Sequence, residues 1–194
     1  MWIGRILAYR RKVARDHVAE FSVLEPPADL ERQLEEGLRL EASGWKGRAG
    51  TAILSSEETA RFYRSMARGF DRLGELRMSS LHLDGDLVAF DISLLHGGRV
   101  WFLKTAFDEQ FRRLSPGLVL LASVIERAFE LGLDAVELLG GSEDHKTSFA
   151  TSAREHRAIR VYRHRPVPLA RYAYRRRVRP ALRRGYHLAR RTRG

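Results

Sequence analysis

The run KTAFDEQFRRLSPGLVLLASVIERAFELGLDAVELLGGSEDHK, residues 104–146, decides how this chain folds. Trp101, Phe102 and Leu103 lead into it as an apolar strand. Residues 107–115 read as a basic loop, residues 116–131 carry apolar side chains at helical spacing, and residues 134–139 form a second strand. Pro116 suits the first position of a helix, where a missing N–H costs nothing. Ser115 stands before it as an N-cap, and Gly132 is placed to stop the helix. The unit is a strand–helix–strand crossover whose helix starts behind Arg112, Arg113 and Ser115. Free N–H groups at a helix start, next to guanidinium groups, attract anions, phosphates above all.

Working outward, the stretch is preceded by three strands, residues 75–83, 86–95 and 99–105. They are separated by Asp84-Gly85 and by His96-Gly97-Gly98, both hairpin signals. Upstream, residues 28–42 place Leu30, Leu34 and Leu38 four apart, as an amphipathic helix does, and SGWKGRAGT, residues 43–51, breaks it. Ser55 and Glu58 form a capping box ahead of a helix to about residue 70, which presents Phe62, Tyr63, Met66 and Phe70. Residues 6–15 suggest a short basic helix and residues 18–24 a strand closed by Pro26-Pro27. Downstream, residues 143–152 read as a loop and short helix, residues 156–162 as a last strand, and Pro168 opens a basic helix interrupted by Pro180. The expected class is mixed α/β (α+β): an antiparallel meander feeding a β-α-β unit, with a basic C-terminal helix.

The 194 residues, 44% hydrophobic and 30% charged, suffice for one domain with a real core plus extensions. Without cysteine the chain has no disulfide, thiolate metal site or Cys nucleophile, which fits a reducing, cytoplasmic setting. The opening MWIGRILAYRRKV lacks a small-residue cleavage site and reads as no signal peptide. The net charge of +11 is concentrated: residues 163–194 hold 12 arginines and no acidic residue, leaving 23 basic against 24 acidic side chains before them. A basic fold throughout is thereby excluded; the basicity is a tail.

Trp45-Lys46-Gly47, Phe62-Tyr63, Leu87-Val88-Ala89-Phe90, Lys104-Thr105-Ala106-Phe107-Asp108, Ser115-Pro116-Gly117-Leu118 and Gly141-Ser142-Glu143-Asp144-His145-Lys146 occur in an order that resembles the GNAT-fold acyltransferases. Within them the chain is similar to the CelD-type "cellulose biosynthesis" acetyltransferase domain, a relative of Fem-type aminoacyl transferases. The resemblance spans about residues 40–165, so residues 1–40 are expected to be an extension or the remnant of an upstream domain, 41–165 the acyltransferase domain and 166–194 a tail. It implies acetyl-CoA or another acyl-CoA as co-substrate and no metal. The pantetheine arm would lie against residues 102–105, with Lys104 and Thr105, and the pyrophosphate on Arg112, Arg113, Ser115 and the N–H groups of Gly117 and Leu118. The family's loop, [Q/R]-x-x-G-x-[G/A], is here Arg-Arg-Leu-Ser-Pro-Gly, with Ser115 in place of the first glycine.

Direct acyl transfer requires a base for the attacking amine or hydroxyl, donors for the developing oxyanion and an acid for the thiolate. Glu143, His145 and Lys146 follow the second strand, at the edge where crossover sheets bind ligands. Glu143 or His145 can serve as base, and Lys146 can hold an acceptor anion or carbonyl; a solvated, helix-capping loop is the plainer alternative. Asp108 suits an Asx turn. Asp91 points into the cleft or into water, and Trp45, Phe62, Tyr63 and Met66 read as core or cleft wall. His82 and His96 have no metal-ligand spacing, and no G-x-S-x-G elbow is present. The expected acceptor is a sugar or cell-envelope precursor. Two alternatives stay open: an aminoacyl-tRNA-dependent transferase gripping RNA with its tail, and a non-catalytic domain. The arginine tail suits a docked helix, an anionic membrane surface or RNA phosphates.

Overall fold

The computed structural model describes residues 2–139, 149–153, 166–174 and 176. The chain divides into two compact units, Met1–Ala150 and Thr151–Gly194. In the first, α1 (Trp2–Asp16) precedes β1 (Ala19–Glu25), α2 (Leu30–Ser43), a one-turn α3 (Trp45–Arg48) and α4 (Glu57–Arg72). The meander β2 (Leu76–Leu83), β3 (Asp86–His96) and β4 (Arg99–Phe107) follows, then α5 (Pro116–Glu130) and β5 (Ala135–Glu137). In the second unit, α6 (Pro166–Ala173) is the described element.

The five strands lie side by side in chain order, antiparallel through β4 and parallel between β4 and β5. The two hairpins form where expected, because Asp84 and Gly85 (φ 53° and 91°) and Gly97 and Gly98 (φ 58° and 71°) take the paired positive φ of two-residue type I′ turns. Alternation along the strands splits the core. Phe90 and Ile92 of β3 pack with Leu76 and Met78 against Leu34 and Leu38 of α2 and Ala60 and Ala67 of α4. Ala89, Leu81 and Leu83 face the other way, onto Val13 of α1 and Val119 and Leu120 of α5. Residues before 41, read from sequence as an extension, supply α1, β1 and α2, with Val13, Leu24, Leu34 and Leu38 buried in this unit.

Several local expectations shift. The cap of α4 is Ser56, whose hydroxyl accepts from Thr59 N–H, because Ser55 is drawn into a 3₁₀ turn, Ile53–Ser55. Residues 43–51 contain α3 rather than a plain break. Residues 107–115 are not a loop: Phe107 completes β4 and Glu109–Leu114 wind into a 3₁₀ helix. Phe62 is 62% exposed, and the buried stripe of α4 runs through Ala60 and Ala67 instead. Strand β5 is three residues long where six were expected. The strand at 156–162, most of the loop and helix at 143–152, and the interruption at Pro180 lie outside the described residues.

Candidate active site

Strand β4 is held by β5 only at its start. Arg99, Val100 and Trp101 pair with Ala135, Val136 and Glu137, and the ladder stops there. Asp134 N–H donates to the Gly98 carbonyl at 2.8 Å, and Arg99 Nη1 reaches Glu137 Oε1 at 2.7 Å. From Phe102 to Phe107 the β5 side of β4 carries no strand among the described residues. The result is a sheet that splits along one seam, with backbone on the β4 lip that no described strand pairs, the Thr105 carbonyl being taken by Lys46, and that is open to an extended ligand.

The lip leads into the turn before α5. Asp108 Oδ1 accepts from Gln110 N–H at 2.8 Å, the expected Asx turn, and starts the 3₁₀ helix that carries Arg112 and Arg113. Both arginines are exposed and make no ion pair with a described residue. Ser115 occupies the N-cap position of α5 in left-handed backbone (φ 49°, ψ 52°), and its hydroxyl does not cap the helix. That hydroxyl is turned toward Tyr9 of α1 and, ahead of Arg5, lowers the Tyr9 phenol pKa. The Ser115 carbonyl receives Leu118 N–H and Val119 N–H, so Gly117 N–H is the amide left pointing out of the first turn. A Cβ on Gly117 would meet the Phe107 ring at 3.4 Å; glycine lets α5 close onto the end of β4. One amide outside the helix ladder, two guanidiniums that pair with no described residue and a helix start at the end of an open strand suit a diphosphate on an extended arm.

Opposite this lip lies a charged cluster that the sequence reading did not identify. Glu41 of α2 has a side chain only 4% exposed. Its Oε2 accepts from Ile53 N–H at 2.8 Å, and its Oε1 lies 3.0 Å from Lys46 Nζ and 3.6 Å from Lys104 Nζ. Lys46 also donates to the Thr105 carbonyl of β4 at 2.8 Å. Lys104 and Thr105, assigned from sequence to the carrier, are thus linked through Glu41 and Lys46 to the helical side of the cleft. Glu41 sits three residues past Leu38 on the apolar stripe of α2, and a carboxylate on that stripe was the legible signal. Glu109 joins the two sides: Oε1 accepts from Trp45 N–H at 2.9 Å and Oε2 lies 2.7 Å from Arg48 Nη2. These bonds hold the Glu109 carboxyl below its ordinary pKa, Arg48 contributing most. Gly47 is required here, since a Cβ would fall 1.7 Å from the Ala42 carbonyl oxygen. Trp45 is 56% exposed and is no core residue.

Asp91 points neither into the cleft nor into water. It is fully buried, with Oδ1 accepting from Ser93 Oγ at 2.6 Å and Oδ2 without a hydrogen-bond partner among the described residues. Burial pushes its pKa up to about 7, against the smaller pull of the Ser93 and Ser79 hydroxyls. Glu143, His145 and Lys146 fall in residues 140–148, outside the described residues. Among the described residues no cluster of three His, Asp or Glu side chains is arranged to hold a metal, and no helix is long and apolar enough to cross a membrane.

Residues 4–147 match the family model described as the acetyltransferase (GNAT) domain. The chain belongs to the GNAT family. It is an acetyltransferase, and GNAT acetyltransferases use acetyl-CoA as donor. Solved structures with the same fold include a GNAT family acetyltransferase from Staphylococcus aureus at 13% identity and TM-score 0.51, covering 74% of this chain and 98% of that one. An aminoglycoside acetyltransferase from an uncultured soil metagenomic sample, in complex with sisomicin, matches at 14% identity and TM-score 0.50 over 79% and 99% of the two chains. A ribosomal-protein-alanine N-acetyltransferase from Brucella melitensis matches at 17% and 0.50, over 74% and 99%. These likenesses are of fold. No curated protein matches the GNAT chain in sequence.

Proposed function

We propose that this GNAT acetyltransferase moves an acetyl group from acetyl-CoA directly to an amine or hydroxyl of a sugar or cell-envelope precursor. The observation that carries the reading is the open lip of β4 from Phe102 to Phe107, ending at Arg112, Arg113 and the Gly117 amide. The backbone of Phe102, Leu103, Lys104 and Thr105 would hold the pantetheine arm, and Arg112, Arg113, Ser115, Gly117 and Leu118 the diphosphate, Leu118 by lining the first turn. Bound there, the co-substrate supplies an activated acetyl thioester. Glu143 or His145 takes the acceptor's proton, and Lys146 orients the acceptor. The chain has no cysteine, in keeping with a reducing cytoplasm. The arginine tail, in which Val167 and Tyr172 of α6 and the following Tyr174 are exposed, suits docking on an anionic membrane where such precursors are assembled.

Calorimetry with acetyl-CoA tests the donor. Binding, followed by acceptor-dependent thiol release when amino sugars are supplied, is the expected result. Absence of acetyl-CoA binding overturns it, and salt-sensitive tRNA binding in its place would point to an aminoacyl-tRNA donor.

A further inference from the structure

The cluster around Glu41 holds two ammonium groups for one carboxylate. As a strut between α2 and β4 it would need only one. Lys46 already fills that role, bonded to Glu41 Oε1 and to the Thr105 carbonyl. Lys104 is different. Its Nζ stands 3.6 Å from Glu41, beyond hydrogen-bond distance, and 5.6 Å from the centroid of the Tyr63 ring, and it donates to no described residue. Its side chain is 31% exposed and rises from the part of β4 that β5 leaves unpaired. Glu35 is engaged by Arg64 at 2.6 Å and Glu109 by Arg48 at 2.7 Å, and Glu41 is the one carboxylate within ion-pair distance of Lys104 among the described residues. An ammonium has three donors, and leaving them half-desolvated and unused is costly unless a ligand completes them.

We propose that Lys104, backed by Lys46, binds an anionic group of the acceptor, so the acceptor is a phosphorylated or carboxylated sugar rather than a polycation. This rests on the β4 lip being the reaction cleft. The backbone of Lys104 faces the donor and its ammonium the acceptor. A surplus of one positive charge beside Tyr63 repels a polyamine and attracts phosphate or carboxylate, and the half-buried setting strengthens both effects over their values in bulk water.

The test uses the full chain and matched amino sugars: glucosamine, its 6-phosphate, muramic acid and, as polycation, sisomicin. Calorimetry is run with and without acetyl-CoA. One or both anionic sugars should bind at least about tenfold tighter than glucosamine or sisomicin, the value of one charge-assisted contact. Lys104→Met should bring that ratio close to one, and Lys104→Arg should retain it, with thermal unfolding confirming that both variants fold. Failure of both anionic sugars to bind, preference for sisomicin, or a ratio unchanged in Lys104→Met overturns the proposal. So does an equal loss of acetyl-CoA affinity in Lys104→Met, which would assign the ammonium to the donor. If the parent ignores acetyl-CoA yet shows Lys104-dependent selectivity for the anionic sugars, the donor reading falls and the anion site stands.

Discussion

Arg99 Nη1, on the first rung that β4 shares with β5, meets Glu137 Oε1, on the last, at 2.7 Å. The pair is largely shielded from water, with side chains 26% and 15% exposed. It fastens the two strands at the point beyond which they no longer pair. Everything assigned to donor binding lies on one side of it: the lip of β4, the 3₁₀ helix and the first turn of α5.

The guanidiniums of Arg112 and Arg113 are exposed and pair with no described residue, so replacing both with alanine should leave the fold intact. Each charge-assisted contact to a phosphate contributes about 1.5–3 kcal/mol, and acetyl-CoA affinity should fall at least about tenfold. Calorimetry reads the change, and its size should shrink as salt is raised. An unchanged dissociation constant removes both residues from the diphosphate site.

Asp91 makes stability depend on pH. Its folded pKa of about 7 exceeds the ordinary 3.8, so the folded state keeps a proton that the unfolded chain has released. The stabilisation is complete below the ordinary value and is lost as pH rises to about 7, with a slope of up to about 1.4 kcal/mol per pH unit. Asp91→Asn should flatten this dependence and should gain on the parent above neutrality. Urea denaturation between pH 4 and pH 8 measures it, and parallel curves would place the carboxyl in water.

Glu109 ties α3 to the turn that carries Arg112. Glu109→Ala should raise KM for acceptor and donor together while the melting temperature barely moves, because the bonds to Trp45 and Arg48 lie at the surface. Glu109→Gln, which can still accept from Trp45 N–H, should lie between. A change in melting alone would make Glu109 a structural residue.

Gly37 lets α2 lie flat on the sheet, since a Cβ there would sit 2.1 Å from the Phe90 ring. Gly37→Ala gains helix propensity but must push that ring aside, at about 1–3 kcal/mol. Its cost should shrink when combined with Phe90→Leu, a coupling that a double-mutant cycle by denaturation detects.

Deleting the chain from Tyr172 onwards removes most of the arginines that the first unit does not balance. Sedimentation with anionic liposomes should disappear while acetyl-CoA binding persists. Sedimentation unaffected by the deletion would remove the membrane from the proposed function.

Features set by backbone geometry at one or two residues were legible in the sequence. Asp84-Gly85 and Gly97-Gly98 could turn only one way, and Pro116 and Gly132 bounded α5. Features that depend on distant neighbours were not. Glu41 meets Lys46 five residues on, but Lys104 reaches it from the far strand of the meander. The alternation of β3 showed that Asp91 and Ser93 share a face, not that both would be buried. Ser115 read as a helix cap because serine usually is one; the left-handed turn out of the 3₁₀ helix aims its hydroxyl at Tyr9 instead. The turn and helix start proposed for the donor were therefore readable in outline, and the Glu41 cluster was hidden in pairings across the fold.

The strands stand in the sheet in the order in which they are synthesised. Among the described residues no strand has to be threaded between two that are already paired, and each described strand from β2 onward is added to an edge of the sheet assembled before it. The last of the described strands, β5, takes only three rungs of the available length of β4. Peeling β5 away would cost the chain its cleft before it cost the chain its core.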